Sequence, residues 1–166
     1  MNLDDLLEVY AWNALFNKVR DSVRNLSPEV PVFLGGERTT DPEADDYLVV
    51  WPLTDDQKPA RRDVRRGNML LQVSCHSRWE DIRTDRDLMA PHKLAAVVKA
   101  ALTDKDVPVN TFNVDPEVNL GQLNVHKPRT VYVARPHHLL RATGTPNEQP
   151  NVHTLVLTFT ATFVAA

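Results

Sequence analysis

Histidines, one cysteine and clustered carboxylates are the residues of this sequence that could support chemistry. Six histidines could in principle hold a metal ion or act as general bases, namely His76, His92, His126, His137, His138 and His153. Their spacing contains no HExxH motif and no paired His-x-His on a strand, and a single cysteine excludes CxxC. The sequence therefore predicts neither a metal site nor a cofactor.

Cys75 could be a nucleophile if a base lay beside it. It falls in an alternating apolar set with Met69, Leu71 and Val73, so a buried, unreactive thiol is the favoured interpretation. The glycine pair at Gly35 lacks the lysine and glycine spacing of a phosphate-binding loop and predicts a turn. One cysteine also means no internal disulfide, as expected for a protein made in a reducing cytoplasm.

The densest local charge is a run of four arginines, Arg61, Arg62, Arg65 and Arg66. Arginine forks suit carboxylates of a neighbouring subunit or nucleic-acid phosphates, and the alternative is a solvated hairpin tip. An acidic loop supplies possible partners, Asp41, Glu43, Asp45 and Asp46. If the two segments meet across a repeated boundary, the contact is head-to-tail and closes into a ring when the rotation permits.

The same acidic residues, with Asp55 and Asp56, could instead indicate a hydrolase. A working carboxylate pair needs environments that separate two pKa values, which solvated loops rarely provide. The net charge of −3 argues against a protein whose main role is to hold nucleic-acid phosphates. The sequence therefore predicts no enzyme.

Length and composition favour one ordinary globular domain over residues 1–166, because 42% of the residues are hydrophobic and 25% are charged. The apolar runs are too short to cross a bilayer. Asn2, Asp4 and Asp5 open the chain, so no secretory signal is predicted.

Apolar periodicity predicts two helices. The first runs from Leu3 to Leu26 and is ended by Ser27-Pro28. Its stripe comprises Leu3, Leu6, Leu7, Tyr10, Ala14, Val19, Val23 and Leu26. The second runs from about Leu88 to Leu102, with Asp87 as its cap and Pro91 in its first turn.

Alternation of apolar and polar residues predicts the strands, at Val30–Leu34, Tyr47–Leu53, Met69–His76, Arg129–Arg135 and Val152–Val164. Pro31 lacks an amide donor and places the first strand at a sheet edge. Asp104–Gln122 is rich in Asn, Pro and Asp, which predicts a surface path with at most a short strand at Val107–Phe112. This order predicts an α+β fold, with two main helices packed on a mostly antiparallel sheet.

These elements together resemble the tail-terminator family of long-tailed bacteriophages, a family of minor tail proteins. The resemblance covers most of the chain and rests on five segments: the N-terminal helix, the strand Met69-Leu-Leu-Gln-Val-Ser-Cys-His, the charged Arg78–Asp87 connection, the Leu94–Leu102 helix and the final Leu155–Phe163 strand. Residues around Pro59–Arg66 and Asn110–Asn124 are where the chain departs from the family.

The resemblance implies a structural subunit of the virion that forms a ring, commonly of six copies, at the head-proximal end of the tail tube. Its implied partners are other copies of itself, the tail tube protein and the head-tail connector or neck protein, with transient contact to passing DNA possible and no membrane. Assembly would take place in the host cytoplasm. The strand at Pro31 and the threonine-faced C-terminal strand are the expected edges for neighbours to extend.

Two alternatives remain at this point. One is a neck or head-completion protein of the same particle, built on a similar plan of sheet and helices. The other is a small hydrolase or nuclease, which requires several carboxylates and histidines to converge in one pocket.

Overall fold

The structure, a computed structural model, describes residues 6–35, 46–53, 68–78, 85–134 and 152–166. These residues form helices α1 (Leu7–Leu26) and α2 (Asp85–Leu102) and strands β1 (Val32–Leu34), β2 (Asp46–Leu53), β3 (Asn68–Arg78), β4 (Lys105–Asn110), β5 (Asn119–Val125), β6 (Arg129–Ala134) and β7 (Val152–Ala165). Neither described helix is long and apolar enough to cross a membrane.

The seven strands form one sheet in the order β1-β2-β3-β7-β5-β4, with β6 pairing to β7 outside this path. All pairs are antiparallel except β1 with β2, which is parallel. This confirms the predicted α+β class with two main helices, although the sheet is mixed rather than purely antiparallel.

Strand β7 lies at the centre of the sheet. Residues 152–162 pair with β3 on one side, while β6 and then β5 follow the other side. The prediction that this threonine-faced strand is an edge for neighbours was therefore wrong, because its length lets it accept three partner strands. The prediction that the strand at Pro31 lies at a sheet edge was confirmed, since β1 pairs only with β2 among the described residues. The strand is shorter than predicted and begins just after Pro31.

The hydrophobic core lies between the helices and one face of the sheet. Leu155, Leu157 and Phe159 of β7 point into it and are at most 2% exposed. They lie beside the inward residues of β3, which include Leu71 and Cys75. Both helices contact the strands and each other, so they cover this face together.

The buried side of α1 differs from the predicted stripe. Ala11 and Leu15 are fully buried, whereas Leu26 at the last turn is 68% exposed. The 3.6-residue period places Ala11 and Leu15 between Leu7 and Val19 on the core side, so small and large apolar residues share the stripe.

Helix α2 begins earlier than predicted, at Asp85, so Asp87 lies inside the helix and is not its cap. Pro91 is likewise interior and lies beyond the first turn. A proline there removes one hydrogen bond to the preceding turn. Pro91 is itself buried, as is Leu94 one turn later, and this burial helps to offset the lost bond.

The prediction for Asp104–Gln122 was wrong in part. This segment contains β4, which overlaps the short strand predicted at Val107–Phe112, and also the start of β5, so it is not a surface path with one short strand at most. In β5 the inward residues Leu123 and Val125 are buried, and the outward ones, Gln122 and Asn124, are polar. The sequence did not predict β5, because its outward residues are polar and Gly121 interrupts the alternation. Pairing with β7 also stabilises β5.

Candidate assembly surfaces

The loop between β4 and β5, residues 111–118, forms a closed structure that we call the hairpin tip. The Thr111 amide donates to the Val118 carbonyl, and the Val118 amide donates to Thr111 Oγ1, each over 2.9 Å. Just outside this pair, Asn119 Nδ2 donates to Asn110 Oδ1 over 2.7 Å. Thr111 is 1% exposed, so buried hydrogen bonds fix the base of the tip.

The hairpin tip presents apolar and acidic side chains to the outside. Phe112, Val114 and Val118 are 37%, 45% and 43% exposed. The Phe112 ring meets the Tyr10 ring of α1 edge-on, with centroids 5.0 Å apart, so α1 holds the tip in place. Asp115 and Glu117 are exposed, and residues 111–118 contain no cation.

Beside this ring contact, a groove of about 530 Å³ lies between α1 and the hairpin tip. Asparagines line it from both sides, Asn13 and Asn17 from the helix and Asn110 and Asn113 from the hairpin. Lys18, Asp21 and Glu117 add charges of both signs to its walls. This mixture can hydrogen-bond to a polar chain segment, and its lining contains no cysteine or histidine.

At the far end of β5 the chain forms a second exposed surface, residues 126–131, which we call the basic bend. The His126 amide donates to the Thr160 carbonyl over 2.9 Å, so the pairing with β7 continues past Val125. His126 Nε2 lies 3.0 Å from Thr162 Oγ1. Lys127 and Arg129 are exposed, and Val131 is 44% exposed.

A third surface lies at the β1 edge. The Gly35 amide donates to the Val50 carbonyl over 2.6 Å. A Cβ atom at Gly35 would overlap Cδ2 and Cε3 of the Trp51 ring and would lie 2.9 Å from its Cγ. Glycine therefore lets the backbone pass close to the indole ring. Trp51 is 41% exposed and Leu34 is 37% exposed, so this end of the sheet is also apolar.

No protein-family model and no curated protein matches this sequence. One solved structure, whose name carries no functional description, is similar over 95% of this chain and 96% of its own, with a TM-score of 0.56 and 14% identical residues. The likeness is one of fold. Function must therefore be argued from the surfaces themselves.

Most of the charged residues singled out in the sequence lie outside the described residues, namely Arg61, Arg62, Arg65, Arg66, Asp41, Glu43 and Asp45. Asp46 is described, and it opens β2 instead of ending a loop. Its carboxylate accepts a hydrogen bond from the hydroxyl of Ser77, which lies opposite it on β3 and is 1% exposed. Asp46 therefore ties the start of β2 to β3.

The described histidines lie on separate surfaces. His76 stacks on Tyr47 with ring centroids 4.6 Å apart, and its Nδ1 lies 2.9 Å from Thr154 Oγ1. His92 is exposed on α2 and His126 belongs to the basic bend. The side chains of His137, His138 and His153 lie outside the described residues. Among the side chains that are described, no three His, Cys, Asp or Glu residues are grouped to hold a metal ion.

Cys75 is fully buried on the core face of β3, as the alternation predicted. Burial raises the pKa of its thiol from an ordinary value of 9.0 to about 12, and the nearby charge of Lys99 lowers that pKa only partly. The thiolate, which is the nucleophilic form, is therefore scarce at neutral pH.

Sequence reasoning missed both the hairpin tip and the basic bend. The run Asn113-Val-Asp-Pro-Glu carries turn-forming residues, and Lys127-Pro128-Arg129 carries two positive charges on either side of a proline. Those signals mark turns. That the turns stand at the two ends of one strand depends on the pairing of β5 with β4 and β7.

Proposed function

We propose that this chain is a tail terminator, a structural virion subunit that forms a ring at the head-proximal end of a phage tail tube. The ring stops growth of the tube and joins the tail to the head connector. Its partners are further copies of the chain, commonly six in all, the tail tube protein and the neck protein. It assembles in the host cytoplasm, carries out no chemical reaction and needs no cofactor.

One geometric observation carries this proposal. The acidic segment joins β2 at Asp46, and the segment with Arg61–Arg66 leaves β2 after Leu53. The two junctions are seven residue steps apart, which is roughly 23 Å along a strand. Because β2 is paired on both sides, by β1 and β3, it holds these two junctions apart.

Because opposite charges join the chain at opposite ends of β2, they support a head-to-tail contact between copies. Two copies placed head-to-tail bring the acidic segment of one towards the arginines of the next. Repetition of that contact gives a ring or a filament, and closure into a ring is the form that ends a tube.

The environment of the candidate catalytic groups favours an assembly role over a hydrolase. Cys75 is buried with a raised pKa, and His76 and His126 contact threonine hydroxyls of β7. A hydrolase needs an exposed nucleophile or an activated water beside a base. Thr154 and Thr162, which His76 and His126 contact, lie eight residues apart on the same face of β7, roughly 26 Å along the strand. Cys75 is buried in the core, so these groups do not form such a pair.

The decisive experiment mixes purified protein with tail tubes and images the tubes by electron microscopy. We expect density on one end of each tube and uncontrolled tube length when the protein is omitted. Charge reversal at Arg62 and Arg65 should weaken ring formation, whereas reversal at the exposed Lys93 of α2 should not. Tubes of normal length without the protein, together with bare tube ends in its presence, would refute the proposal. Binding to the connector alone would instead indicate a neck protein.

A further inference from the structure

We infer that the hairpin tip of one copy docks on the basic bend of the next copy, which gives the chain a second head-to-tail contact built from described residues. The inference deepens the proposed ring and rests on it for biological meaning. The contact itself is a property of the purified chain and can be tested without a phage.

Charge complementarity is the first argument. The hairpin tip carries Asp115 and Glu117, a charge of −2, and the basic bend carries Lys127 and Arg129, a charge of +2 with His126 neutral. The start of β4 beside the bend adds Asp104, Lys105 and Asp106, a net −1, so the bend and this neighbour together remain at +2 − 1 = +1. Opposed patches of this kind steer association and fix its register.

Exposed apolar residues in both patches are the second argument. Phe112, Val114 and Val118 at the tip and Val131 at the bend are each between 37% and 45% exposed. Charge pairs at a surface contribute little affinity, whereas apolar side chains that become covered can supply it. Each patch therefore has an apolar part flanked by charge, and the charges are opposite.

Geometry excludes the pairing within one molecule. The tip ends at Val118, the bend starts at His126, and the seven residues of β5 between them are extended. β5 spans about 20 Å and is paired with both β4 and β7. A tip can thus reach only the bend of another copy, and such a contact uses two different patches on each molecule.

The fixed shape of the hairpin tip makes it suitable for docking. Thr111 and Val118 close the loop through two hydrogen bonds, and Tyr10 supports Phe112 from α1. A loop held in one conformation loses little entropy when it binds. The tip therefore suits the basic bend of a second copy, which is positively charged and partly apolar.

A charge-swap experiment tests the inference. Variant A carries Asp115→Lys and Glu117→Lys, and variant B carries Lys127→Glu and Arg129→Glu. Sedimentation velocity over a concentration series measures the mass of each variant and of an equimolar mixture. The control variants Glu29→Lys and Lys93→Glu reverse exposed charges outside both patches.

We expect the native protein and both controls to associate at the same concentration. Variants A and B alone should need at least about tenfold more protein, since like charges then face each other. The mixture should recover native association, because the basic tip of A meets the acidic bend of B and the native tip of B meets the native bend of A. A native protein that stays monomeric, or a mixture no better than its components, would overturn the inference.

The result is separable from the proposed function. Recovered association with bare tube ends would leave the tip-to-bend contact standing and remove the terminator role. If variants A and B capped tubes as well as the native protein does, the terminator role would stand and the tip-to-bend contact would be removed.

Discussion

Gly121 controls how closely β5 approaches β7, and its replacement gives the sharpest test of this fold. Its φ of 147° lies where side-chain-bearing residues are rarely found. A Cβ at this position would overlap the carbonyl oxygen of Val164 and would lie 2.8 Å from Phe163 Cζ and 3.0 Å from Ala165 Cα. Two of these neighbours are backbone atoms of β7, which cannot move without disturbing the sheet.

The expected loss of stability for Gly121→Ala follows from these two effects. The disfavoured backbone conformation costs about 1–3 kcal/mol. Overpacking against β7 costs about 1–3 kcal/mol more. Taking the middle of each range gives a loss of about 4 kcal/mol, a large share of the roughly 5–15 kcal/mol that stabilises a typical domain. For a chain of this size the unfolding temperature should fall by about 8–16 °C.

Thermal and urea unfolding, followed by circular dichroism, measure this change. Gln122→Ala is the matched control, because it lies one residue further along β5, points outward and is exposed. Its free energy of unfolding should change by less than about 0.5 kcal/mol. If Gly121→Ala melted within about 2 °C of the native protein, β5 could not lie against the end of β7 as described.

Three further perturbations probe other parts of the structure. Phe159→Ala removes the largest fully buried side chain among the described residues and should lower the free energy of unfolding by about 3–5 kcal/mol in urea titrations. Thr111→Val leaves the Val118 amide without its hydroxyl acceptor, so exchange of that amide with deuterium should accelerate while the Leu157 amide in the core stays protected. Because burial raises the pKa of Cys75 to about 12, its thiolate fraction at pH 8 is about 1000-fold below that of an ordinary thiol. A thiol reagent should therefore label the native protein far more slowly than the protein in denaturant, and stability should fall as pH rises from 9 towards 12, since the unfolded thiol ionises first.

The sequence predicted those parts of the fold that depend on the local pattern of apolar and polar side chains. Alternation in β3 and β7 and the apolar stripes of α1 and α2 each depend on residues a few positions apart. The central position of β7 was mispredicted because it depends on pairing with β3, β5 and β6, which lie far away in sequence. The run of threonines suggested a strand with a free edge, but β7 has paired strands along both of its edges.

The candidate surfaces divide in the same way. The arginine and aspartate clusters were visible as composition, and the eight-residue β2 between them was predicted within one residue. The hairpin tip escaped notice because its exposed Phe112 was assigned to the end of a short strand. Only the closure of residues 111–118 by Thr111 shows that this phenylalanine belongs to a loop held against Tyr10.

The break between β5 and β6 links the fold to the proposed contact. Along β7, two residue steps separate Thr160 from Thr158, but their partners His126 and Arg129 are three steps apart, so this side contains one extra residue. Pro128 lies within the extra span and has no amide to donate, so regular pairing cannot continue through it. An extra residue bends a strand and increases its twist. The bend therefore turns Lys127 out of the ladder, while β5 holds the acidic tip some 20 Å away. Deleting Pro128 would align β5 with β6, so association measured by sedimentation velocity should weaken although every charge is retained.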